Sequence, residues 1–188
     1  QQSVSSGVYK IQNKYSGKYL TSKPNASVGL ESSLPVGLDG SQLWFVENYG
    51  SFCVFYSLGL RYSSSLGAQE MVLISNTSGA LLLYNETSNI KKWIISQDSP
   101  GVYYIAQYEL VNKGLRSNDA SDTPVLDMIL HRNESEKWNL IPIITDTFNN
   151  YYDGSIGQDS RLYAKIEIAS SAYKNGYFTL NDFNAACS

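Results

Sequence analysis

The chain has 188 residues, 43% hydrophobic and only 16% charged, with 15 tyrosines and a formal net charge of −3. That length suits one domain with room for an appendage. The negative balance, with no Lys/Arg run longer than a pair, argues against nucleic acid as a partner, because phosphate binding needs clustered cations. No apolar run approaches the roughly 18 residues of a membrane-spanning helix, so no membrane insertion is expected.

From residue 6 to about 48 the chain forms a first unit. It opens GVYKIQNKYSGKYLTS, where Val8 and Ile11 flank polar positions and NKYSGK has hairpin-turn chemistry, with Gly17 supplying permissive backbone angles. It closes SQLWFVEN around Trp44. A second unit, about 49–98, reads GSFCVFYSLGLRYSSS, EMVLIS and ALLLYN, then IKKWIISQ around Trp93. A third, about 100–144, reads GVYYIAQYELVNKGLRSND and PVLDMIL, then SEKWNLIP around Trp138. These are the only tryptophans, spaced 93 − 44 = 49 and 138 − 93 = 45 residues apart. Each unit reads as about four short strands separated by turns. A repeat of this period means similar units that bury their apolar faces only by sharing a core. Three such units predict an all-β chain folded as a β-trefoil over residues 1–144; a propeller of similar period needs more blades.

The repetition stops after Ile144. Residues 145–188 are expected to form an extension packed on the trefoil, since about 44 residues hardly make a core of their own. RLYAKIEIAS alternates around Ile166 and Ile168 as a half-buried strand does, and YFTLNDF reads as another strand; a short helix from about Ser160 to Tyr173 is the alternative.

The chain begins QQSVSSG without an initiator Met, as a terminus left by signal cleavage would. Four sequons stand at Asn25, Asn76, Asn85 and Asn133. A secreted, extracellular glycoprotein is therefore expected. In an oxidising compartment Cys53 and Cys187 are expected to form one disulfide; the alternative is two separate buried thiols.

The phrases GVYKIQNKYSGKYLT and SQLW resemble the ricin B-type lectin family of β-trefoils, which carries a Gln-x-Trp motif near the end of each repeat. The resemblance covers about residues 6–143, leaves out the tail, and is closest to secreted fungal members. It implies that Trp44, Trp93 and Trp138 fill the barrel core. It also implies a sugar site in each repeat, built on an Asp just after the G-x-x-L phrase whose carboxylate holds two neighbouring sugar hydroxyls. Here that place holds Thr21, Ser63 and Asn118, and the motif's Gln survives only as Gln42, with Lys91 and Glu136 in the other repeats. The sugar sites are thus degenerate.

Repeat three keeps the most useful chemistry: Asn118 and Asp119, with Arg116 and Asp122 close by. An amide and a carboxylate together hold a pair of hydroxyls; the alternative is a polar turn whose side chains bond their own backbone. Repeat one offers Asp39 and Gln42, although Asp39-Gly40 is equally a plain turn. Glycans on Asn85 and Asn133 would cover the second and third sites.

Little suggests catalysis. His131 is the sole histidine and is read as a surface or turn residue. The aspartates Asp119, Asp122 and Asp127, or Asp153 and Asp159, do not follow EF-hand spacing and are read as solvated turns. No metal or cofactor is expected. Tyrosines at 103–104, 151–152, 173 and 177 either stack on sugar rings or pack inside. The expected function is a secreted, non-catalytic, lectin-like carbohydrate-binding protein whose partner is a glycan or a host or cell-surface protein. The alternative is a protein-binding effector or a protease inhibitor presenting the loops KPNASVGLESSLPVGLDG and YSSSLGAQE.

Overall fold

The computed structural model describes residues 4–23, 26–34, 39–58, 62–63, 67–68, 71–77, 79–84, 86–118, 120–129 and 133–143. The 145–188 extension lies outside them. Among the described residues the regular structure is β-strand with three short 3-10 turns. The first unit supplies β1 (Gly7–Asn13), β2 (Tyr19–Ser22), β3 (Val28–Glu31) and β4 (Trp44–Asn48). The second supplies β5 (Cys53–Ser57), the small pair β6 (Tyr62–Ser63) and β7 (Gly67–Ala68), then β8 (Met71–Ser75), β9 (Ala80–Tyr84) and β10 (Trp93–Ser99). The third supplies β11 (Val102–Gln107), β12 (Lys113–Asn118), β13 (Ser121–Met128) and β14 (Trp138–Pro142).

Antiparallel pairing runs β1–β4–β5–β10–β11–β14 and back to β1. This closed circuit of the first and last strands of each unit is a six-stranded barrel without free edges. The middle strands form three hairpins, β2–β3, β8–β9 and β12–β13. They meet one another through the Gly79–Val125 bridge and the bond from Leu82 N–H to the Ala26 carbonyl, 2.9 Å. The fold is the β-trefoil predicted from the repeats.

The strands form where apolar side chains alternate across the sheet. β5 (CVFYS) is buried throughout because both its faces are covered. Cys53 and Phe55 enter the main core with the three tryptophans, while Val54 and Tyr56 join a second cluster with Val8, Phe45, Val72 and Ile74. Trp44, Trp93 and Trp138 have no exposed surface. Each indole N–H donates to a leucine carbonyl: Leu20 at 2.9 Å, Leu73 at 3.1 Å and Leu115 at 2.8 Å. Those bonds satisfy the only polar group each ring carries into the core. Gly50 and Gly101, at the turns between units, have φ of 91° and 80°, which favours residues without a Cβ.

The three indole bonds also set the correspondence between units, and here the structure corrects the sequence alignment. Leu20, Leu73 and Leu115 are equivalent, so Ile74 and Arg116 occupy the place of Thr21, not Ser63 and Asn118. For Ser63 the cause is an insertion; for Asn118 it is that Gly114 lies within β12, whereas Gly17 lies in the turn before β2. The connection between first and second strands spans 58–70 in the second unit, against 14–18 and 108–112 in the others. Ser63 lies in that longer connection, in β6.

Cys53 also departs from expectation. It is a free thiol with no exposed surface, facing the core, and burial pushes its pKa up to about 12. The expected bridge to Cys187 is not made at Cys53; Cys187 lies outside the described residues.

Candidate functional site

In the first unit Gln42 and Thr21, two residues of the expected sugar site, are consumed by the fold. Gln42 is fully buried. Its carbonyl oxygen accepts from Leu34 N–H at 3.0 Å, and its amide donates to the Ser32 carbonyl at 2.8 Å and the Thr21 hydroxyl at 3.2 Å. The Thr21 hydroxyl in turn donates to the Tyr19 carbonyl at 2.8 Å. Gln42 therefore ties the segment after β3 to β2. Asp39 opens the 3-10 turn Asp39–Gln42, and its side chain lies outside the described part.

Glu136, two residues before Trp138 as Gln42 is before Trp44, is also buried and structural. Its carboxylate accepts from Asn133 N–H at 3.1 Å, while the Asn133 side chain accepts from Ser135 N–H at 3.1 Å. This reciprocal capping box closes the 3-10 turn Glu134–Glu136. In the sequence Asn133-Glu-Ser reads as a glycosylation signal, and Glu136, three residues after Asn133, is the sign of a cap. Lys91 ends the corresponding turn of the second unit. Of the other sequons, Asn76 is exposed and its side chain accepts from Gly79 N–H at 2.7 Å. Asn25 and Asn85 lie outside the described residues.

The third unit is different. Arg116 turns to Asp127, which lies diagonally from it on β13: its Nε and Nη2 donate to one carboxylate oxygen at 3.3 and 3.1 Å, and its Nη1 donates to the Ser117 carbonyl at 2.9 Å. The Met128 backbone N–H, then Arg116, hold the Asp127 carboxyl below the usual carboxylate range. Asn118 accepts from Ala120 N–H at 3.0 Å, a side-chain turn of the kind its pairing with Asp119 suggests. Asp119 lies outside the described residues. Asp122 takes a 2.6 Å bond from the Lys18 ammonium, 104 positions away.

Asn118 and Asp122 come together around a cavity of about 340 Å³ between the first and third units. Ser117 and Ser121 contribute from the β12–β13 hairpin, and Tyr15 and Lys18 from the β1–β2 turn. Tyr15 is 64% exposed and stands at its rim. The Lys18–Asp122 pair is partly exposed on both sides, so it adds at most about 1 kcal/mol of stability and opens readily to a ligand. Nothing in the sequence singles out Tyr15 and Lys18. NKYSGK reads as a turn, and no spacing rule carries it to a hairpin a hundred residues away.

Elsewhere Tyr103 and Tyr104 pack inside, and the tyrosines at 151, 152, 173 and 177 lie outside the described residues. An aromatic cluster absent from the sequence reading stacks Tyr49 on Phe52 with centroids 5.0 Å apart and sets Tyr108 edge-on at 5.8 Å. The Lys92 ammonium lies 4.5 Å from the Phe52 centroid. No group of three or more His, Cys, Asp or Glu is placed to hold a metal ion among the described residues. His131, Asp153 and Asp159 lie outside them. No described helix is long and apolar enough to cross a membrane.

Neither a family model nor a curated protein matches the sequence. Solved structures do match. The designed 3-fold symmetric protein ThreeFoil is 19% identical with a TM-score of 0.56, covering 73% of this chain and 99% of that one. SeviL bound to asialo-GM1 saccharide is 18% identical with a TM-score of 0.55, covering 74% and 100%. A proteinase inhibitor from Coprinopsis cinerea is 14% identical with a TM-score of 0.57, covering 75% and 100%. A mosquitocidal holotoxin also matches, but the chain spans only 17% of its length. At these identities the likeness carries the fold. It is a scaffold whose solved examples include a saccharide-bound protein, a proteinase inhibitor and a mosquitocidal holotoxin.

Proposed function

We propose that the chain is a secreted, non-catalytic carbohydrate-binding protein of the lectin kind, with its site in the cavity between the first and third units. One observation carries this reading: Asn118 and Asp122 meet Lys18 and the exposed ring of Tyr15 around one open, polar cavity. A carboxylate accepts from paired hydroxyls, an ammonium and an amide donate to ring or acyl oxygens, and an aromatic face covers the C–H side of a sugar. A volume of about 340 Å³ is near the lower end of ligand pockets, roughly 300–1,000 Å³, and suits one sugar ring rather than an extended chain. With both charged groups partly exposed, affinity per site is weak. A glycan array followed by calorimetric titration tests the reading, with Asp122→Asn and Tyr15→Ala expected to abolish binding. Silence across plant, animal and microbial glycans removes it.

A second reading, a protein-binding effector or protease inhibitor, is favoured by the longer connection 58–70 in the second unit and by the shared fold of the Coprinopsis cinerea inhibitor. Inhibition of a protease panel, lost when that connection is shortened to the five-residue form of the other units, would establish it. Secretion is supported by the sequons, two of which, Asn76 and Asn133, stand exposed. Mass spectrometry of material from a secreting host should find glycan there. Both residues unmodified would withdraw that support and any masking of the third-unit site by Asn133.

A further inference from the structure

We infer that Ser117 is the hydrogen-bond anchor on the floor of this cavity, and that the ligand is a terminal sugar residue entering with one hydroxyl foremost. This rests on the carbohydrate reading above and adds to it the residue that the hydroxyl meets.

The threefold correspondence supplies the reason. Two residues beyond Leu20, Leu73 and Leu115 stand Ser22, Ser75 and Ser117, all buried. In the first unit the Ser22 hydroxyl donates to the Ser41 carbonyl at 3.2 Å and accepts from the Ser57 hydroxyl at 3.0 Å. In the second, Ser75 donates to the Ile90 carbonyl at 3.4 Å and accepts from the Gln107 amide at 3.0 Å. Ser41 and Ile90 each lie three residues before their unit's tryptophan. Ser57 and Gln107 each pair with that tryptophan from the neighbouring barrel strand.

By the same rule Ser117 should donate to the Ser135 carbonyl and accept from Asn13, which pairs with Trp138. Asn13 removes both partners. Its amide nitrogen takes the Ser135 carbonyl itself, at 3.0 Å. Its amide oxygen accepts from Tyr15 and Ser16 N–H at 3.1 and 3.0 Å, shaping the turn that walls the cavity. The Ser117 hydroxyl is left buried and without a hydrogen-bond partner, in a residue that is 3% exposed and lines the cavity.

A buried hydroxyl in this state favours whatever restores its bonds. A sugar hydroxyl both donates and accepts, as the missing partners did. An apolar group would leave Ser117 unpaired, and a simple anion would meet the Asp122 carboxylate beside it. The side chain that builds the cavity wall thus also strips the floor of its internal partners.

Ser117→Ala is compared with Ser22→Ala and Ser75→Ala, the paired equivalents. Urea denaturation of the free proteins should show Ser22→Ala and Ser75→Ala destabilised, and Ser117→Ala unchanged or stabilised. Methyl glycosides of galactose, glucose, mannose and N-acetylglucosamine are then titrated by amide-shift NMR. The glycoside that binds the wild type should shift the amides of residues 117 and 118. It should lose about 5- to 30-fold in affinity for Ser117→Ala, the effect of one net hydrogen bond or somewhat more, and less than twofold for Ser22→Ala. A loss of stability in Ser117→Ala equal to that of Ser22→Ala overturns the inference, since the hydroxyl would then be paired in the free protein by ordered water. Unchanged affinity, or shifts confined to another face, overturns the anchor while leaving carbohydrate binding standing. No shift with any glycoside removes both.

Discussion

Replacing each core tryptophan in turn by phenylalanine should cost the same at all three positions. The substitution removes an indole N–H from a buried carbonyl: Leu20 for Trp44, Leu73 for Trp93, Leu115 for Trp138. Leaving a buried acceptor without its donor costs about 1–3 kcal/mol. Each ring has no exposed surface, so the volume lost becomes a void. Phenyl is smaller than indole by roughly 40 Å³, and at ~24 cal/mol per Å³ the cavity adds about 1 kcal/mol. Each variant should therefore lose about 2–4 kcal/mol, within the total stability of a domain this size, about 5–15 kcal/mol, so all three should still fold. Trp93 also meets Phe55 edge-on with centroids 6.3 Å apart, a contact that phenylalanine partly retains. Urea unfolding followed by far-ultraviolet circular dichroism, which does not depend on the altered fluorophore, reads the midpoints and slopes. A variant losing under about 1 kcal/mol, or differing from the others by more than about 2, would refute the equivalence of the three units.

Gln42→Ala removes three hydrogen bonds from a buried amide and should cost about 2–3 kcal/mol by the same denaturation, leaving sugar affinity unchanged. Cys53 should resist a thiol reagent at pH 8 until the chain is unfolded, when it reacts at once. Because its folded pKa is raised, its contribution to stability is complete below the ordinary thiol pKa of about 8.5 and declines as pH climbs toward about 12, so Cys53→Ala should flatten the alkaline fall in urea midpoint. The Asp127 pKa is lowered, so its contribution is present above the ordinary carboxylate pKa near ~3.9 and fades as pH falls further; Asp127→Asn should lose less stability than the wild type between pH 5 and 2, by the same measurement.

The period of the tryptophans and the strand-and-turn pattern around them were enough to predict the trefoil. Those signals are local: each unit writes its own alternation and its own turns, and any repeat of this length must share a core. Correspondence between units was harder to read. GLRYS and GLRSN look alike, yet one lies in an insertion and the other forms β12. Only the indole-to-leucine bonds show which leucine belongs with which, because register depends on where strands pair rather than on how phrases match.

Residue types alone single out Asn118 and Asp122, and they also predict the turn that Asn118 makes with the Ala120 backbone. Gln42 reads as a ligand group because SQLW resembles the Gln-x-Trp motif, but its bonds run to Leu34, Ser32 and Thr21. The cavity itself was decided by barrel closure. β1 must pair with β14 before Lys18 comes within 2.6 Å of Asp122, and before Asn13 can take the Ser135 carbonyl from Ser117. Contacts across more than a hundred residues leave no mark on local composition. The chain alone thus specified three units and the aromatic interior that joins them; their closure into a ring made one of three similar corners unlike the others.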